Sequence, residues 1–195
     1  IALLFGFGEK TEKNILESIA FLKRNKGRFL LGEITPTVVE VCQKLENLKW
    51  VEKVSPAGSV RRMKETIGDI DILVAVKNPE PRTRAKLGAG LVQHRSEASG
   101  AGKVMDFFVS LPGVVKIWGK GKTKASVRMA DGFDVDIRVV PARSYGSAMQ
   151  YFTGSKEHNI IVRKIAMDKG LKLSEYGLFS ASGGQGLKMI AGKDE

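Results

Sequence analysis

A chain of 195 residues with 43% hydrophobic side chains can bury a core, and its 32 Lys and Arg against 21 Asp and Glu leave a formal charge of +11. That excludes a disordered tail and points to nucleic acid, an anionic surface or a phosphorylated substrate as partner, with a lysine-rich surface of the thermophile kind as the plainer alternative. One cysteine excludes a disulfide framework or a clustered thiolate metal site and implies a reducing, intracellular (cytoplasmic) setting, and no apolar run is long enough to span a bilayer.

The opening IALLFGFG lacks the basic flank and cleavage site of a signal peptide. From Glu12 to Lys26 the residues Ile15, Ile19 and Leu22 recur at helical spacing, which predicts a helix. Thr35 followed by Pro36 reads as an N-cap with proline at the first helical position, and VVEVCQKLENL continues a second helix. Cys42, among Val38, Val39, Val41 and Leu45, reads as a small core residue. After Lys49 the β-branched runs WVEKVSPA, DIDILVAV, VVKIWGK, KASVRMA and FDVDIRVV predict a sheet, with Asp131-Gly132 as a two-residue hairpin turn. VMDFFVSL predicts a short crossing helix, and further helices are expected from Ser144 to Phe152 and from Glu157 to Lys169, the latter ending at Gly170. Residues 78–102 fit neither period and read as a long flexible loop. The predicted class is α+β, a small helical unit at 1–47 followed by a mixed α/β unit from Leu48 onward.

On a strand, side chains alternate faces, so Asp69, Asp71 and Leu73 point one way and Ile70, Ile72 and Val74 point into the core. The hairpin strand repeats this, with Phe133, Val135, Ile137 and Val139 inward and Asp134, Asp136 and Arg138 outward. If the two strands are neighbours, three carboxylates converge, and only a multivalent cation makes that stable. Acid-only oxygen ligands suit Mg²⁺ or Mn²⁺, and two such ions roughly 3.5 to 4 Å apart can serve an attacking hydroxyl and a leaving oxygen together. An isolated D-x-D is more often a solvated strand face. Here Gly58-Ser59 precedes it: a glycine lets backbone amides approach a phosphate, the hydroxyl adds a donor, and Arg61 and Arg62 bring charge for a triphosphate.

The series GSVRR, GDIDIL, DVDIR, YFTGSKEHN and EYGLF, in this order over nearly the whole chain, resembles the family X DNA polymerases. The resemblance implies a nucleotidyltransferase palm at 48–142, a fingers-type unit at 1–47 and a thumb-type unit at 143–195, cut short at Glu195. It implies template-directed addition of deoxynucleotides to a primer in gap-filling DNA repair, with DNA and a deoxynucleoside triphosphate (dNTP) as partners of a monomer. By the same resemblance Asp69, Asp71 and Asp136 would be the catalytic ligands of two Mg²⁺ or Mn²⁺ ions, and Gly58, Ser59, Arg62 and Gly68 would surround the β and γ phosphates. Tyr151, Phe152 and Gly154 would lie against the sugar, Asn159 would touch the base edge and Arg163 the templating side. Arg138, Glu175 and Tyr176 resemble the set that rearranges when the thumb closes.

The spacing of Asn159, Arg163 and Ala166 puts them on one helix face, which would also suit an ordinary exposed helix. Tyr151 and Phe152 could equally be core packing. LFGFGEKTEKNI is similar to the hairpin of a helix-hairpin-helix, with Gly6, Gly8 and Lys10 toward a DNA phosphate. Five bases and no acid lie between Lys116 and Arg128, a DNA-backbone stripe or a solvated strand face. Phe5 stands where many family members have proline, and Asp134 where polymerase β-type members carry an arginine. An upstream lyase domain is not expected in this chain, nor a histidine-rich phosphoesterase domain, since only His94 and His158 are present. Two other readings stay open: template-independent nucleotidyl transfer, motivated by the long loop, and a catalytically impaired DNA-binding fragment.

Overall fold

The computed structural model describes residues 8–24, 27–77, 100–180 and 188–191. In chain order these form α1 (Glu9–Arg24), β1 (Phe29–Leu30), α2 (Leu31–Glu46), β2 (Val51–Pro56), α3 (Gly58–Arg61), β3 (Thr66–Ile67) and β4 (Ile70–Val76). They continue with α4 (Gly100–Val109), β5 (Val114–Lys120), β6 (Lys124–Met129), β7 (Asp134–Pro141), α5 (Tyr145–Thr153) and α6 (Lys156–Asp168). Three short strands follow, β8 (Leu171–Ser174), β9 (Gly177–Ser180) and β10 (Lys188–Ala191). The fold is α+β, as the sequence predicts.

The centre is a five-stranded sheet in the order β2-β4-β7-β6-β5. Its neighbours are antiparallel except β4 and β7, which run parallel. One face is the main core: Ile70, Ile72 and Val74 of β4 and Val135, Ile137 and Val139 of β7 meet Ile34, Val38, Val41 and Leu45 of α2 and Val104, Met105 and Phe108 of α4. Each such side chain, fully buried, contributes about 1.5–3 kcal/mol. The other face is not open along its length. Leu73, Ala75 and Val140 are buried there under Tyr145, Ala148 and Met149 of α5, so Leu73, expected on a polar face with the acids, is in a second core. Only the end of that face carrying the acids stays polar.

Several boundaries differ from the expected ones. The second helix starts at Leu31, not at Thr35, because the Glu33 carboxylate accepts the Leu30 N–H at 3.0 Å and so satisfies the first turn. The Thr35 hydroxyl then donates back to the Leu31 carbonyl at 2.7 Å, and Pro36 lies inside the helix, where it removes one backbone donor. Residues 100–102, expected in the loop, open α4; Gly100 backs onto Trp50, and a Cβ there would sit 3.4 Å from the tryptophan Cβ. The rest of that loop, 78–99, lies outside the described residues, as does Gly6. Gly8 precedes α1 and gives its carbonyl to the N–H groups of Thr11 and Glu12, so Lys10 is in the first turn of that helix. Leu16 and Ile19 of its apolar stripe are exposed.

The Asp131-Gly132 hairpin has three loop residues, not two. Gly132 N–H donates to the Met129 carbonyl at 2.9 Å and Met129 N–H to the Phe133 carbonyl at 2.8 Å, and only Gly132 takes a positive φ, 86°. Cys42 is half-buried at the edge of the main core. The ribbon of β1 with β3 and the sheet of β10-β9-β8 were not predicted.

Candidate active site

The site begins where β2 ends. Ala57 N–H donates to the Asp71 carbonyl at 2.8 Å, which pins the turn against β4. Gly58 follows with φ +52°, and a Cβ there would lie 2.0 Å from Asp71 Oδ2. Only glycine lets the backbone pass beneath that carboxylate.

On the parallel pair β4 and β7, Asp71 is registered directly opposite Asp136. The two share one face on strands about 4.8 Å apart. Asp69 lies in the bend before β4 and is exposed, so it approaches the pair from outside the strand instead of continuing the strand face. Burial, with Asp69 and Asp136 nearby, pushes the Asp71 carboxyl up to about 6, although Lys124 and Arg62 pull the other way. Lys124 Nζ is 2.9 Å from Asp136 Oδ2. Among the described residues no three His, Cys, Asp or Glu side chains are grouped closely enough to hold an ion as arranged. The structure thus joins Asp71 with Asp136 and leaves Asp69 at the entrance.

In front of these acids opens a cleft of about 640 Å³. Arg28, Gly58, Ser59, Arg62, Lys64, Gly68, Asp69 and Asp71 form one wall, and Tyr151, Phe152, Gly154, Ser155, Lys156 and Asn159 form the other. Asp71 and Phe152 also line a smaller pocket holding Asp136, Lys124 and Arg138. Apart from Arg61, the residues singled out for the nucleotide's phosphates and sugar are therefore in one cleft. Arg61 is exposed and does not line it.

The two walls are linked. Arg62 Nη1 donates to the Thr153 carbonyl, and Gly154, at φ +72°, turns close past that guanidinium. The Asn159 side chain accepts from Gln150 Nε2 at 2.9 Å and donates to the Tyr151 carbonyl at 2.6 Å, tying α6 to the end of α5. The Arg163 guanidinium lies over the Tyr151 ring at 4.7 Å and does not line the cleft. Asn159 and Arg163 are thus both turned to the end of α5, and Ala166 on the same helix face is buried. Tyr151 and Phe152 meet edge to face at 5.0 Å, and Arg138 sits 5.2 Å from the Phe152 ring. Tyr176, in the turn between β8 and β9, gives its carbonyl to Ser144 Oγ at 3.0 Å.

Arg28, Lys64, Lys156 and Lys124 were not singled out for this site. Lys156 was visible inside YFTGSKEHN, but Arg28 reaches Gly68 only through the β1–β3 ribbon, where its Nε donates to Thr66 Oγ1 at 2.9 Å. The basic stripe proves largely neutralised: Lys116 pairs with Glu17 at 2.7 Å, Lys120 with Asp106, Lys124 with Asp136 and Arg128 with Asp134. Asp134 also accepts from Trp118 Nε1 at 2.7 Å.

A sheet whose parallel central strands bring two aspartates together beside a glycine-serine turn has the architecture of a nucleotidyltransferase palm. Comparison with known proteins agrees. Residues 148–195 match the DNA polymerase beta thumb family. The chain is 30% identical over 184 residues to the DNA polymerase/3′-5′ exonuclease PolX of Bacillus subtilis (strain 168), covering 93% of this chain and 28% of that protein. It is 32% identical over 147 residues to DNA polymerase lambda of Rattus norvegicus, covering 70% and 23%. Among solved structures, the ternary gap complex of Leishmania infantum polymerase beta superimposes with TM-score 0.62 at 25% identity over 81% of this chain and 53% of that one. The ternary P/T complex of the same polymerase gives TM-score 0.63 at 22% identity, covering 93% and 78%. The chain belongs to the family X DNA polymerases and spans roughly a quarter of the length of these curated relatives. Among the described residues no helix is long and apolar enough to cross a membrane.

Proposed function

We propose that this chain is a template-directed DNA polymerase core that extends a primer across a gap during repair. In this reading 1–47 is the fingers-type unit, 48–142 the palm and 143–195 the thumb-type unit. The observation that carries it is the register of Asp71 against Asp136 at the mouth of a cleft lined by Arg28, Arg62, Lys64 and Lys156. Carboxylates so placed are unfavourable alone, and a cationic wall beside them suits a ligand that is both polyanionic and metal-bound.

The donor set is carboxylate oxygen, and the raised pKa of Asp71 marks a place where added positive charge stabilises the fold, so Asp71 and Asp136 suit Mg²⁺ or Mn²⁺ by their chemistry, and Asp69 at the entrance would complete the set for two ions. When bound, such ions would neutralise the triphosphate and acidify the primer hydroxyl. Ser59, Arg62 and the amides after Gly58 hold the phosphates, and Gly68 leaves room beside them. Tyr151, Phe152 and Gly154 set the sugar, while Asn159 and Arg163 fix the aromatic wall on which the base pair is judged. Catalysis is then positioning and charge neutralisation.

The test is incorporation on gapped duplex DNA with Mg²⁺ or Mn²⁺. Wild-type chain extends the primer, whereas Asp136→Ala loses about 10³-fold or more in rate, about 4 kcal/mol, with gapped-DNA binding retained. Extension by Asp136→Ala near the wild-type rate would remove the acid pair from the chemistry. Incorporation without a template strand replaces this reading with template-independent transfer; DNA binding without incorporation in either metal leaves a binding module.

A further inference from the structure

We propose that Lys124 is a built-in counter-ion for the acid pair, one that a divalent cation has to displace, and that it thereby sets the metal affinity of the site. This rests on the metal-site reading above and assigns a role to a residue outside the acid triad.

Lys124 is the first residue of β6. The turn before it is fixed by Gly121 N–H to the Lys124 carbonyl at 2.7 Å and by Val139 N–H to the Thr123 carbonyl at 2.8 Å. In the antiparallel β6–β7 pair Lys124 lies opposite Arg138, and Ser126 lies opposite Asp136. A side chain at Lys124 therefore reaches Asp136 along the diagonal, a separation that long side chains span. The ammonium arrives 2.9 Å from Asp136 Oδ2, in the small pocket that also contains Asp71.

On this face Arg128 is paired with Asp134, Arg62 acts on Asp71 from the larger cleft, and Arg138 is the other cation lining the small pocket. Its guanidinium lies over the Phe152 ring. The ammonium is thus the monovalent neighbour of a carboxylate that the metal-site reading assigns to a divalent ion. Like charges cannot share that carboxylate without cost, so entry of the metal must weaken or break the Lys124 contact. Lys124 is half-exposed, with 51% of its side chain accessible, so the released ammonium has water to enter. Partial exposure also keeps the competition small, and an exposed ion pair of this kind corresponds to about two- to fivefold in affinity.

The experiment is a Mn²⁺ titration of the chain without DNA or nucleotide, read by the paramagnetic resonance of free Mn²⁺, with metal-free Tm measured in parallel. It compares wild type, Lys124→Gln, Lys124→Arg, Asp136→Asn and, as a charge control in the same turn, Lys122→Gln. Lys124→Gln is expected to bind Mn²⁺ about two- to fivefold more tightly while its metal-free Tm falls, with Lys124→Arg and Lys122→Gln close to wild type. A merely structural lysine would lower Tm without tightening metal binding. Unchanged or weaker binding in Lys124→Gln, with binding lost in Asp136→Asn, overturns the counter-ion role and leaves the metal site standing. Equal binding in wild type and Asp136→Asn overturns both.

Discussion

Asp71 offers a test of the site that needs neither DNA nor nucleotide. Its carboxyl ionises near the ordinary 3.8 in the unfolded chain and near about 6 in the fold, because burial, and then Asp69 and Asp136, oppose its charge. The gap corresponds to about 3 kcal/mol of folded-state penalty once Asp71 is ionised. A raised acid pKa favours the fold below pH 4, where the group is neutral in both states. That advantage is lost as pH rises through about 6. Asp71→Asn removes the charge at nearly constant shape. In EDTA at pH 7.5 the variant should therefore be more stable than wild type by up to about 3 kcal/mol, or some 6–12 °C in Tm for a chain of this size. At pH 4 the difference should nearly vanish. Urea denaturation at the two pH values measures it, and Mg²⁺ should then raise the wild-type midpoint and leave the variant's where it was. A variant less stable than wild type at pH 7.5, by as much as at pH 4, would refute the claim that burial, and then Asp69 and Asp136, penalise the ionised Asp71 in the metal-free fold.

Gly58→Ala drives a methyl to within 2.0 Å of Asp71 Oδ2 at φ +52°, so it should cost about 2–3 kcal/mol and disturb the acid pair; chemical denaturation and Mn²⁺ titration read the two effects. Met63 has φ 53° and is 73% exposed in the turn after α3, so Met63→Gly should gain about 0.5–1 kcal/mol, and an unchanged or lower Tm would contradict the strain argument. Burial first, and then Glu46, push the Cys42 thiol up to about 11. At pH 8 native chain should therefore react with a thiol-specific disulfide reagent far more slowly than chain unfolded in guanidinium, and equal rates would show an open thiol. Phe108→Ala, emptying the core beneath the sheet, should cost about 3–5 kcal/mol in denaturant unfolding.

What the sequence shows of this fold is what short-range periodicity can carry. The five strands of the central sheet announce themselves by β-branched runs, and the aspartates by standing two apart within them. The register of Asp71 with Asp136 cannot be read locally, because it depends on β4 and β7 becoming neighbours, a pairing set by the cores on both faces. Leu73 shows the same limit: alternation places it with the acids, but not that α5 covers it. β1 and β3 are two residues each and have no period to detect, so Arg28 was invisible as a cleft residue although its partner Thr66 is fixed by a clear bond. Thr35-Pro36 was a sound helix-start signal that lost to Glu33, which caps one turn earlier. The ion pairs of the basic stripe are not legible locally because its acid partners come from other elements, Glu17 lying 99 residues before Lys116.

That last point bears on what the charge of +11 is for. Along β5 and β6 the cations meet carboxylates, and their fields cancel at short range. At the cleft the guanidiniums of Arg28 and Arg62 instead donate to uncharged oxygens, the Thr66 hydroxyl and carbonyl and the Thr153 carbonyl. Such bonds fix a guanidinium in place without neutralising it. Two oriented charges at the cleft walls, with Arg62 also acting on Asp71, attract a polyanion more strongly than charges closed into ion pairs on a strand face. The same bonds explain why the aromatic wall stays in register with the phosphate wall. Arg62 spans 91 residues of sequence to hold Thr153, so the turn that carries Gly154 is positioned by the residue proposed to meet the phosphates.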